Sequence, residues 1–118
     1  MQALNETELL ERLSQPHHAF LLLLHTAHCS QCKIADARVK RVEQNPVLHV
    51  DFLTCNLDEA PRIHELFNIR SVPVCMAYNE KNELLRVEYG LKSEAVYESM
   101  ALSVNTQKGN PKSRLLGF

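Results

Sequence analysis

Six consecutive apolar residues, Ala19-Phe20-Leu21-Leu22-Leu23-Leu24, constrain this chain more than any other feature. A half-buried strand alternates apolar with polar side chains. A short unbroken run reads instead as a strand buried on both faces, as in the core of a parallel sheet. The run is far too short to span a bilayer. Just beyond it stands His28-Cys29-Ser30-Gln31-Cys32, with two thiols where a strand ends and a helix begins. A helix N-terminus offers unpaired N–H groups and the positive end of the helix dipole, which favour a thiolate over a thiol. The thiolate is the nucleophile of disulfide exchange. The second cysteine, one helical turn on, is near enough to close a small ring. Exchange needs both residues, one to attack and one to release.

The remaining pattern frames that core. Asn5-Glu6-Thr7-Glu8 has the form of a capping box ahead of Leu9, Leu10 and Leu13, and predicts a short helix ending near Pro16. Residues 29–44 predict a helix with Ile34, Ala35, Arg38, Val39 and Val42 on one face, stopped by Asn45-Pro46. Residues 47–53 predict a second strand. Asp58 is expected to cap a helix with Pro61 in its first turn, Ile63, Leu66 and Phe67 inward, and Asn68 closing it. Residues 73–78 and 84–89 predict two further strands around the turn at 79–82. In the later one Leu85, Val87 and Tyr89 alternate with Arg86 and Glu88. A last helix is expected over residues 93–104. The first two strands form a βαβ unit and the last two a hairpin, so the class is α/β: a mixed four-stranded sheet flanked by helices. Residues 1–105 are expected to form one domain, with a flexible tail at 106–118.

Composition narrows the function. A formal net charge of -1 gives no electrostatic case for nucleic acid, and the absence of Trp argues against a base-stacking platform. The polar, acidic start at Met1-Gln2-Ala3-Leu4-Asn5-Glu6 lacks the basic and apolar regions of a secretory leader. The chain is therefore expected to be cytoplasmic, without a membrane partner, where thiols stay reduced unless they are catalytic. The uneven spacing of Cys29, Cys32, Cys55 and Cys75 speaks against a two-bridge framework.

A C-x-x-C after the first strand of a βαβ unit resembles the thioredoxin family. Arg70-Ser71-Val72-Pro73-Val74 is similar to the family's Ile/Val-Pro element, whose proline is cis and packs beside the active disulfide. Asn56-Leu57-Asp58 and Gly90 also fall at family-like positions, and the resemblance covers residues 19–104. There are departures. The family's Trp-Cys-Gly-Pro-Cys is here His28-Cys29-Ser30-Gln31-Cys32. Its buried Asp is Leu23, and its buried Lys is Thr54. Those two family groups move protons when the second cysteine is deprotonated, so fast reduction of the thioredoxin type is in question. The family's first strand is expected to be missing, which would leave residues 47–53 as an edge protected by His49 and Asp51.

The resemblance implies a thiol–disulfide oxidoreductase that uses no cofactor. Cys29 is the expected nucleophile, more exposed at the helix start, and Cys32 the resolving thiol one turn deeper. Protein disulfides are the expected substrates, and a reductase or low-molecular-weight thiol the recycling partner. Pro73 is expected to be cis, exposing the Val72 backbone to pair with an extended substrate segment. His28 could favour the Cys29 thiolate and shuttle a proton, or could simply face solvent. His25 is expected to pack, and His17 and His18 to lie on the surface. Cys55 and Cys75 are expected to be buried fillers on strands that are not neighbours. Two rivals stand beside this reading. One is a binding module that keeps the fold with slow or vestigial redox chemistry. The other is a metal or iron–sulfur site, which would need about two ligands beyond the cysteine pair, from His25, His28 or a second chain.

Overall fold

In a computed structural model, describing residues 1–106, the unbroken apolar run is the central strand of a five-stranded sheet. In chain order the elements are β1 (Gln2–Ala3), α1 (Glu6–Leu13), β2 (Phe20–His25), α2 (Ser30–Glu43), β3 (Asp51–Asn56), a 3-10 turn (Leu57–Glu59), α3 (Pro61–Phe67), β4 (Val74–Tyr78), β5 (Leu84–Tyr89) and α4 (Glu94–Val104). The spatial order is β1-β3-β2-β4-β5. β1 and β2 run parallel to β3, whereas β4 is antiparallel to both β2 and β5.

The lack of alternation in β2 has a direct cause. Phe20, Leu22 and Leu24 enter one core with Leu9 of α1 and Ile63 of α3, and Phe20 stacks on Tyr78 with ring centroids 4.7 Å apart. Leu21 and Leu23 enter the opposite core with Ala35 and Val39 of α2 and Tyr97 and Met100 of α4. With helices on both faces, each side chain from Phe20 to Leu24 needs to be apolar. The capping box of α1 forms as expected: Asn5 Oδ1 accepts from Glu8 N at 2.8 Å, and Glu8 Oε1 accepts from Asn5 N at 2.9 Å. Asn5→Ala is expected to cost about 1 kcal/mol in chemical denaturation.

Several expectations need correction. The sheet has five strands rather than four, because Gln2 and Ala3 pair with Leu53 and Thr54. A two-residue strand carries no periodic signal and is made by the sheet it joins. β3 is therefore not an edge, and it runs Asp51–Asn56 rather than over 47–53. Asp51 pairs with Arg12 of α1, whose guanidinium lies over the Phe20 ring, and His49 precedes the strand. Ile34, Leu66, Leu85 and Tyr89 are exposed rather than inward. The flanking helices are narrow covers that bury only a central stripe, and β5 lies at the sheet's rim. Asp58 does not cap α3. It lies in the 3-10 turn capped by Asn56, and Ala60 precedes α3 without a side-chain cap. The tail expected at 106–118 lies, apart from Thr106, outside the described residues.

Candidate active site at the C-terminal end of the central strand

The C-terminal ends of β2, β3 and β5 and the start of β4 meet at one end of the sheet, as the pairings Leu24↔Cys55, Leu24↔Val74 and Val74↔Tyr89 require. From β2 a short loop, residues 26–28, leads directly into α2. That loop is tied from behind, since Asp58 Oδ2 accepts from Ala27 N at 2.9 Å. Asp58 is held in turn by Asn56 Oδ1, which accepts from Asp58 N at 2.9 Å. The sequence pointed to Asp58 as a helix cap. Its role is instead to fix the approach to the cysteines.

Cys29 is the N-cap of α2, with extended backbone, and its Sγ accepts from Cys32 N at 3.0 Å. The sulfur thus takes the place of a capping oxygen on an otherwise orphan N–H. The two cysteines are joined as a disulfide, with Cα atoms 5.2 Å apart, inside the usual range for such a bond. Their settings differ. Cys29 is half-buried, while Cys32 is only 3% exposed. An incoming sulfur therefore reaches Cys29 far more readily than Cys32.

At the same end of the sheet, just before β4, the Val72–Pro73 bond is cis. Pro73 is buried, Val72 is half-buried against the core, and the Pro73 carbonyl accepts from Gly90 N at 2.8 Å. Gly90 has φ +82, in the left-handed region where glycine is favoured. Its N–H holds the Pro73 peptide in place. His28 is exposed, next to Cys29 and outside the helix. The expected residues Cys29, Cys32, His28, Val72 and Pro73 thus all lie at the same end of the sheet.

The face of the sheet that α2 and α4 cover is apolar. Leu23 packs with Ala35, Val39, Cys75 and Tyr97. The Thr54 hydroxyl, buried beside it, donates to the Leu23 carbonyl at 3.0 Å. Leu23 and the self-satisfied Thr54 hydroxyl stand at the positions that the resemblance assigns to a buried acid and lysine. Cys55 and Cys75 lie on opposite faces of the sheet, on strands separated by β2. Burial pushes the Cys55 thiol up to about 11, and desolvation raises Cys75 further still. Both therefore stay neutral and inert well above neutral pH. After reduction, the native protein at pH ~8 is expected to release two equivalents of thionitrobenzoate from Ellman's reagent, and four after unfolding, one per cysteine. Release of four equivalents by the folded protein would contradict this burial.

His25 departs from expectation. It does not simply pack: it is half-buried and lines a cavity of ≈ 330 Å³ together with Thr26, Ala27, Cys32, Lys33 and Asp36. The only signal in the sequence was its closeness to the C-x-x-C. At the opposite end of the sheet His17, His18 and His49 share another cavity with Asp51 and Glu80. Among the described residues no group of three or more His, Cys, Asp or Glu is placed to hold a metal ion. Among them, too, no helix is long and apolar enough to cross a membrane.

Comparison with known proteins agrees with this geometry. The thioredoxin family profile matches residues 1–101. Thioredoxin C-3 of Corynebacterium nephridii is 27% identical over 108 residues, which are 91% of this chain and 73% of that protein. Among solved structures, chloroplastic thioredoxin z superposes with a TM-score of 0.75 at 13% identity, covering 88% of this chain and 93% of that one. A mutant thioredoxin from Halobacterium salinarum gives a TM-score of 0.74 at 18% identity, covering 89% and 90%. These two likenesses are of fold. The family's chemistry is thiol–disulfide exchange, and a cysteine pair at disulfide distance is present to perform it. On the match across residues 1–101 and on the C-x-x-C at the start of α2, this chain belongs to the thioredoxin family.

Proposed function

We propose that this protein is a cytoplasmic reductant of protein disulfides, working through Cys29 and Cys32 in a single domain over residues 1–105. The observation that carries the reading is the unequal setting of the two sulfurs: Cys29 caps α2 half-buried, and Cys32 lies 3% exposed behind it. The Cys29 thiolate attacks a substrate disulfide, forming a mixed disulfide and releasing one substrate thiol. Cys32 then attacks Cys29, the second substrate thiol leaves, and the internal disulfide forms. A reductase or a small thiol returns the pair to the dithiol. N–H groups at the start of α2 favour the thiolate at Cys29. Val72, before the cis peptide, offers backbone for an extended substrate segment to pair with, and His28 flanks that path.

The test is catalysed reduction of insulin by dithiothreitol. The protein is expected to speed precipitation of the insulin B chain well above the rate with dithiothreitol alone. No acceleration would contradict the reading.

A second reading is favoured by one observation. Leu23 and Thr54 replace the polar pair that serves proton movement in the family. The fold could then act as a docking module with slow redox chemistry. On that reading a Cys29→Ser, Cys32→Ser double variant keeps full biological activity. On the enzyme reading it loses it.

A further inference from the structure

The resolving step needs a base, and the inner surface supplies none. Cys32 must shed its proton before its sulfur can attack Cys29. A thiol sheltered from water holds that proton more tightly. On the sheet face that α2 covers, Leu23 of β2 is paired with Thr54 and Cys75. Leu23 is apolar, the Thr54 hydroxyl is spent on the Leu23 carbonyl, and Cys75 is itself a desolvated thiol.

The other side differs. Cys32 opens onto the cavity of ≈ 330 Å³, which is roomy enough for water. Its side-chain bases are His25 and Asp36. Asp36 is engaged with Lys40 at 2.9 Å, and carboxylates as a class are poor bases at neutral pH. Imidazole is the side chain suited to take and return a proton there. His25 closes β2 and is held in register opposite Asn56, so its backbone is fixed by the sheet. The other charged or titratable group lining the cavity is Lys33 on α2. Asp58 stands behind the loop on the Ala27 N–H, and His28 is exposed outside.

We infer that His25 is the general base of the resolving step, taking the Cys32 proton through water in this cavity. The inference rests on the disulfide-exchange reading above. In the mixed disulfide, the S–H proton of Cys32 passes through water to the His25 imidazole. The Cys32 thiolate attacks Cys29 Sγ, and the bond from Cys29 to the substrate sulfur breaks. That sulfur leaves with the electron pair and is protonated by the imidazolium or by solvent. The cysteine pair is oxidised by two electrons, and the substrate is reduced by two.

Ellman's reagent separates the steps. The first thionitrobenzoate reports attack by Cys29, and the second reports displacement by Cys32. His25→Phe and His25→Asn are both expected to leave the first release unchanged. Both should slow the second by at least about tenfold near neutral pH. The difference should vanish above about pH 9, where hydroxide removes the thiol proton directly. Free imidazole should restore part of the second release in His25→Ala. A second release that matches the parent protein at every pH in either variant would overturn the inference. So would slowing by an equal factor at all pH values, which marks a structural role. Absence of a second release in the parent protein itself would instead overturn the exchange reading, and this inference with it.

Discussion

Cys29→Ser is expected to bring insulin reduction down to the background of free dithiothreitol, a loss on the order of a thousandfold or more. Cys32→Ser is expected to fail differently. Its Cys29 still attacks, so a mixed disulfide with the substrate should accumulate, visible as a covalent adduct on a non-reducing gel and by mass. The difference follows from the setting of the two sulfurs. Cys29 is half-buried at the mouth of the site, and Cys32 is almost fully enclosed one turn behind it. A hydroxyl at position 29 can cap the helix as well as sulfur does, so the fold should survive the change. Adducts formed equally by both variants would mean that either cysteine can act as entry point, and would contradict the assignment.

Leu23→Asp, which restores the family's acid, is expected to destabilise the protein by about 3–5 kcal/mol, read from guanidinium unfolding of the oxidised form. Leu23 is 1% exposed and packs with Ala35, Val39, Cys75 and Tyr97. A carboxylate there meets apolar carbon on most sides. The Thr54 hydroxyl on the adjacent strand already donates to the backbone. Such a loss is a large share of a small domain's ~5–15 kcal/mol. Adding Thr54→Lys should recover a part of it, because the two changes supply a charge and its partner and so do not add. A loss below about 1 kcal/mol would show that this face is wetter than its packing indicates.

The lines of the fold most legible in the sequence were those set by local chemistry. The unbroken run from Ala19 to Leu24 announced a strand between two helical layers, and that is how β2 sits. The capping box at Asn5 follows from side chains reaching nearby backbone, and Asn68 closes α3 in the left-handed conformation. What escaped was made by distant contacts. β1 exists only because β3 offers it an edge. Asp58 was legible as a capping residue, yet it turns instead to a loop 31 residues earlier in the chain. At the site the C-x-x-C was evident from its spacing, and the Val-Pro pair from the family resemblance. His25 was not, because nothing in the sequence shows that it and Cys32 share a cavity.

The central claim is that Cys29 and Cys32 form a reversible redox pair poised for reduction. The measurement that tests it most directly is an equilibrium titration in dithiothreitol and glutathione buffers, with thiols trapped by alkylation and the peptide carrying both cysteines read by mass. A two-electron transition near about -270 mV is expected. A value near roughly -120 to -200 mV would contradict the reductant assignment and mark an oxidant or isomerase. A pair that never closes across this range would contradict catalysis altogether.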